Sequence, residues 1–103
     1  MAPEFAAVGK TGDIAPGEMA SFTVGTTHVA VANVDGEFLA FSDICSHRQC
    51  TMSDGDVDQD AVECPCHGSK FDMRTGAVLN PPATEPITVY PVRIEGDAIE
   101  IQI

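Results

Sequence analysis

The chain holds four cysteines and three histidines, and every cysteine and two of the histidines fall in two short segments, CSHRQC at 45–50 and CPCHGSKF at 64–71. Each segment offers one thiolate and one imidazole: Cys45 and His47 with one residue between them, Cys64 and His67 with two, and sixteen residues from His47 to Cys64. Two such segments make a two-sided claw for a metal centre. Thiolate with imidazole is a soft donor set that suits zinc or iron–sulfur chemistry, and a tetrahedral site of two sulfurs and two nitrogens is acceptable to both. Structural zinc sites generally pair cysteine with cysteine and histidine with histidine. Here each segment pairs unlike ligands, which fits a centre of two irons, one taking both cysteines and the other both histidines.

Such a claw needs a stiff scaffold. Apolar residues recur in short, often alternating runs: FAAV (5–8), MASFTV (19–24), HVAVANV (28–34), FLAF (38–41), AVEC (61–64), AVL (77–79), ITVYPVRI (87–94) and AIEIQI (98–103). The pattern predicts half-buried strands with little helix. Turn signals separate the strands, and Asp35-Gly36 between two of them predicts a two-residue hairpin, because both central positions of that turn need positive φ. Many short strands at this spacing imply an all-β fold, an antiparallel sandwich or barrel. The two metal-binding segments then fall in long connections, 42–60 and 65–76, where a rigid β scaffold can hold functional groups.

At 103 residues the chain fits one domain. Sixteen acidic against five basic residues give a net charge of -11, which argues against nucleic acid, whose phosphates demand clustered Lys and Arg. No apolar run approaches the roughly 18 residues of a membrane span, and the start lacks a basic region followed by an apolar one, so a cytoplasmic protein is expected. Nothing resembles G-x-G-x-x-G for a flavin or nicotinamide.

The pattern C-x-H followed by C-x-x-H resembles the motif of the Rieske [2Fe-2S] family, and CPCHGS is similar to its second cluster loop. The resemblance implies a single domain over 1–103, with cluster-binding loops at about 42–52 and 64–72 forming a subdomain and a shielding proline loop at about 80–86. It implies one [2Fe-2S] cluster per chain, with Cys45 and Cys64 on the inner iron and His47 and His67 on the outer one. Replacing two thiolates by neutral imidazoles raises the potential from roughly -400 mV to between about -150 and +300 mV.

Cys50 and Cys66 are left over. In the disulfide-bearing branch of the family, cysteines at matching positions tie the cluster loops together, so the resemblance implies a Cys50–Cys66 bond, which burial would protect from cytosolic thiols. The alternative is two free thiols, since cytosolic glutathione usually keeps cysteines reduced. Ser69 matches a serine that in high-potential members donates to a bridging sulfide and raises the potential. Two residues on, where the highest-potential members carry tyrosine, stands Phe71, which implies an intermediate potential.

A free-standing chain of this length resembles the ferredoxin component of bacterial aromatic-ring dioxygenases. That resemblance implies a soluble one-electron carrier, not itself an enzyme, between an NAD(P)H-dependent flavoprotein reductase and a terminal oxygenase. The sequence leaves the oligomeric state open, with a monomer favoured. Those ferredoxins usually lack the extra cysteine pair. Two alternatives therefore stand: an electron-transfer subunit or head domain of a larger quinol, nitrite or arsenite oxidoreductase, and a non-redox zinc module. His28 reads as a surface strand residue, and Met19, Met52 and Met73 read as core filler. The acidic run DGDVDQD at 54–60 reads as turn residues, since it lacks the glutamate that completes a calcium loop.

Overall fold

The computed structural model describes residues 5–44, 50–66, 68–81 and 85–102. Eleven strands are found among them: β1 (Phe5–Lys10), β2 (Met19–Val24), β3 (Thr27–Val34), β4 (Glu37–Ser42), β5 (Asp56–Asp58), β6 (Ala61–Glu63), β7 (Lys70–Asp72), β8 (Val78–Asn80), β9 (Val89–Tyr90), β10 (Val92–Glu95) and β11 (Ala98–Gln102). Short 3-10 turns occur at Thr11–Asp13 and Met52–Asp54. Every strand pairing is antiparallel. The strands form three sheets, in the orders β1-β11-β10, β2-β3-β4-β9 and β5-β6-β7-β8.

Strand β3 is the spine. Successive side chains of a strand point to opposite faces, and Val29, Ala30, Val31 and Ala32 are all fully buried. Val29 and Val31 face one core with Ala40, Ile14, Ile99 and Ile101, which joins the central sheet to β11. Ala30 and Ala32 face a second core with Phe41, Met52, Val62, Cys64, Phe71, Met73 and Ile87. The alanines leave room on that side for the larger side chains of the β5–β8 sheet. Each fully buried Phe or Met there contributes on the order of 1.5–3 kcal/mol.

The β3–β4 hairpin closes as the sequence predicts. Val34 pairs with Glu37, and Asp35 and Gly36 take φ of 52° and 91°. Asn33 holds the turn from inside: its Oδ1 accepts from Gly36 N–H at 2.7 Å, and its Nδ2 donates to the Ile14 carbonyl at 2.8 Å. Met52 and Met73 lie in the second core and Met19 packs against it, as core filler should. His28 is exposed, on β3.

Three expectations need correction. The connection 42–60 is not one loop, because it contains a 3-10 turn and β5. Only Val57 of β5 turns inward while Asp56 and Asp58 are exposed, so a single apolar residue carried the strand signal. The connection 65–76 likewise contains β7, which centres on the buried Phe71. The run ITVYPVRI is not one strand but two, parted at Pro91, with β9 in the central sheet and β10 in the β1 sheet. Proline has no N–H to continue a ladder, so the chain changes sheets there.

Candidate metal centre

The first segment is fixed at both ends. Ile44 and Thr51 form an isolated antiparallel bridge, and Met52 N–H donates to the Asp43 carbonyl at 2.6 Å. Beneath them lies the Asp43 side chain, 2% exposed. Its carboxylate accepts from Ser21 Oγ at 2.8 Å, Ser53 N–H at 2.7 Å and Ser53 Oγ at 3.2 Å. A buried carboxylate is costly unless such donors satisfy it. Satisfied, it ties the root of the segment to β2 and to the 3-10 turn.

The second segment is a tight connection from β6 to β7. Cys64 N–H donates to the Ser69 carbonyl at 2.7 Å, and Gly68 N–H donates to the Cys64 carbonyl at 3.2 Å. Gly68 sits at φ 76°, a conformation glycine adopts without steric cost. Ser69 is fully buried.

A disulfide joins the two segments: Cys50 and Cys66, sixteen residues apart in sequence, are bonded with their Cα atoms 6.4 Å apart. Closing a loop of this length stabilises the fold by about 3 kcal/mol. The protection expected from burial is only partial, since Cys50 is half-buried and Cys66 is exposed. Close backbone contact supplements the covalent tie. A Cβ on Gly55 would lie 1.9 Å from the Glu63 carbonyl oxygen, so only glycine lets the exit of the first segment approach the strand that leads into the second.

Cys64 is the unbridged cysteine of the described residues and is 2% exposed, at the edge of the second core. Its Sγ lies within 4.8 Å of both disulfide sulfurs. Those two sulfurs are bonded to each other and present no thiolate, so the three cysteines are not the ligand set of an iron–sulfur centre in this state. Cys64 alone among them stands outside the disulfide, and it is shielded from water between two pinned loops. This much of the donor set fits a [2Fe-2S] cluster. Cys45, His47 and His67 lie outside the described residues, as do the middle residues 82–84 of the proline loop.

Residues 4–91 match the Rieske [2Fe-2S] domain. The chain belongs to the Rieske [2Fe-2S] family. It is 42% identical over 93 residues to the ferredoxin component of biphenyl 2,3-dioxygenase from Rhodococcus jostii (strain RHA1), covering 90% of this chain and 87% of that one. It is 47% identical over 85 residues to the biphenyl dioxygenase ferredoxin subunit of Pseudomonas sp. (strain KKS102), covering 82% and 78%. A solved complex of reduced oxygenase and oxidised ferredoxin in carbazole 1,9a-dioxygenase contains a chain of the same fold, with TM-score 0.88 and 32% identity over 93% of this chain and 99% of that one. The cofactor of this Rieske chain is a [2Fe-2S] cluster. No helix among the described residues is long and apolar enough to cross a membrane.

Sequence reasoning missed Asp43, which anchors the start of the first segment to Ser21 and Ser53, and Gly55, which packs against the Glu63 carbonyl. An aspartate after a strand and an Asp-Gly pair are ordinary turn signals. Nothing in their local pattern marks them as a buried anchor and a point of backbone contact.

Proposed function

We propose that residues 1–103 form one Rieske domain serving as the ferredoxin of a multicomponent aromatic-ring dioxygenase. It would take electrons from an NAD(P)H-dependent flavoprotein reductase, pass them to the terminal oxygenase, and catalyse no turnover of its own. The observation that carries this reading is the likeness, at 42% and 47% identity over most of both chains, to two ferredoxin components of biphenyl dioxygenases. The solved ferredoxin–oxygenase complex supports an oxygenase as the acceptor.

The ligands of this reading are Cys45 and Cys64 on the inner iron and His47 and His67 on the outer one. When bound, the [2Fe-2S] cluster supplies one reversible electron. The chain's own part is to hold and to shield. Cys64 offers its thiolate from a buried position, and the Cys50–Cys66 bond and the Asp43 anchor fix the loops that carry the remaining ligands. Two neutral imidazoles in place of two thiolates leave the centre less negative and raise its potential. Ser69, buried one turn from Cys64, is assigned to tuning that potential. A cytoplasmic monomer suits this role, because such a carrier meets each partner through a small, short-lived contact.

Two measurements test the reading. The dithionite-reduced protein should give the EPR signal of a reduced Rieske centre, and a colourless, iron-free preparation would exclude it. The protein should also restore NADH-dependent ring hydroxylation to a biphenyl dioxygenase system deprived of its ferredoxin. An EPR-active protein that supports no hydroxylation with any aromatic dioxygenase would point to a larger oxidoreductase instead.

A further inference from the structure

We propose that Cys50, Cys64 and Cys66 form a redox-gated metal site. With the Cys50–Cys66 bond opened in the cluster-free chain, the three thiols take one soft divalent ion such as zinc. The proposal rests on the reading of Cys64 as a cluster ligand, because its consequence is that the ion withdraws Cys64 from the cluster.

The three sulfur atoms already lie within 4.8 Å of one another. Around a tetrahedral zinc, with Zn–S of about 2.3 Å, neighbouring sulfurs stand about 3.8 Å apart. Breaking the disulfide lets Cys50 and Cys66 separate towards that spacing, and Cys64 needs only to close slightly. The sulfurs come from both loops, and each loop is held from below: the first by the Asp43 hydrogen bonds, the second by the Cys64–Ser69 and Gly68–Cys64 backbone bonds. Cys64 is buried and Cys66 exposed, so the ion would have protein on one side and solvent, as a fourth ligand, on the other.

Exposure of Cys66 also supplies the gate. A thiolate of a dithiol reductant attacks the Cys66 sulfur, the Cys50 thiolate leaves, and the second thiol of the reductant resolves the mixed disulfide. Two cysteine thiols form and the reductant leaves as its own disulfide, a balanced two-electron, two-proton exchange. Zinc then replaces the three thiol protons, which pass to solvent. In the oxidised chain two of the three ligands are consumed in their mutual bond and the site does not exist. The disulfide therefore does more than stiffen the loops, since it keeps Cys64 available to iron.

The test uses the full chain with its cluster removed by chelation, once with the disulfide intact and once reduced by a phosphine, each titrated with zinc. The reduced chain should bind one zinc with a shell of three sulfurs by X-ray absorption, and the oxidised chain should bind at least about tenfold more weakly. Cys50→Ser should weaken binding by a similar factor, whereas His47→Ala, which removes a ligand only of the cluster, should change it by less than about twofold. Equal affinity in both redox states would overturn the proposal. So would a shell of two sulfurs and two nitrogens, a loss with His47→Ala as large as with Cys50→Ser, or a reduced chain without β-sheet circular dichroism in the presence of zinc. EPR of the same preparation before cluster removal separates the two readings: its absence sinks the cluster, while the titration still decides the three-thiol site.

Discussion

Arg74 grips Glu37 with two prongs, Nη1 and Nη2 each donating to one carboxylate oxygen at 2.6 Å. The pair joins the turn after β7 to the first residue of β4, so it ties the β5–β8 sheet to the central sheet. Arg74 Nη2 also reaches Asp60 at 3.4 Å. The hydrogen bonds from Arg74 hold the Glu37 carboxyl below its ordinary value of about 4.5 and push the guanidinium further up. Because Glu37 is depressed in the folded state, the stability it adds is present above about 4.5 and is lost as pH falls through the folded value. Glu37→Gln should therefore lower Tm near neutral pH and lose that effect in acid, where Glu37 itself is protonated. Both groups are exposed, so the difference should be modest and should shrink in salt. Circular dichroism melts across pH would show it, and a pH-independent difference would exclude the ion pair as its source.

The Asp43 anchor makes a sharper prediction. Asp43→Ala would leave Ser53 N–H and the Ser21 and Ser53 hydroxyls without the acceptor they now share. A buried donor left unmet costs about 1–3 kcal/mol, and more is at stake where the lost partner is charged. We expect a loss of at least about 2 kcal/mol in urea unfolding, and faster loss of iron on incubation with a chelator. Asp43→Asn, which keeps an oxygen but turns one acceptor into a donor, should fall between the two.

The two cysteine–histidine segments stand out in the chain because metal chemistry limits the residue types and their spacing, and of the four ligands so singled out Cys64 is the one among the described residues. The β3–β4 hairpin could be read for a similar reason: Asp35 and Gly36 occupy a turn few residue pairs tolerate. What escaped depends on contacts between residues far apart in sequence. VAVAN in β3 alternates only in size, so nothing local reveals that its valines and alanines serve two different cores. Strand β5 hid behind Asp56 and Asp58, whose charges mask the single inward Val57. The partners of Asp43 lie on β2 and beyond the first segment, and Glu37 and Arg74 are 37 residues apart.

Backbone contact gives a prediction with its own control. A Cβ at Gly55 would stand 1.9 Å from the Glu63 carbonyl oxygen, and one at Gly76, which also has φ 81°, would stand 2.0 Å from the Ile87 carbonyl oxygen. Neither obstacle is a flexible side chain, so the strands themselves must move. Gly55→Ala and Gly76→Ala should each cost at least about 1–3 kcal/mol. Gly12→Ala meets nothing within 4 Å and has no positive φ, so it should be neutral to within about 0.5 kcal/mol. Equal effects at all three positions would refute the steric account.

Ser69 tests how the chain sets its potential. The residue is fully buried, and its carbonyl accepts from Cys64 N–H at 2.7 Å, so its backbone is fixed whatever the side chain. Ser69→Ala should therefore keep the loop and remove only the hydroxyl. If that hydroxyl stabilises the reduced state over the oxidised by about 1 kcal/mol, its loss lowers the potential by about 40 mV for one electron. Ser69→Thr, which keeps the oxygen, should recover part of the difference if the added methyl can be accommodated. Voltammetry of the variants at fixed pH reads the shift directly, with the EPR line shape as a check that the centre is intact. An unchanged potential with an intact signal would remove Ser69 from the tuning role and leave it a structural residue of the turn.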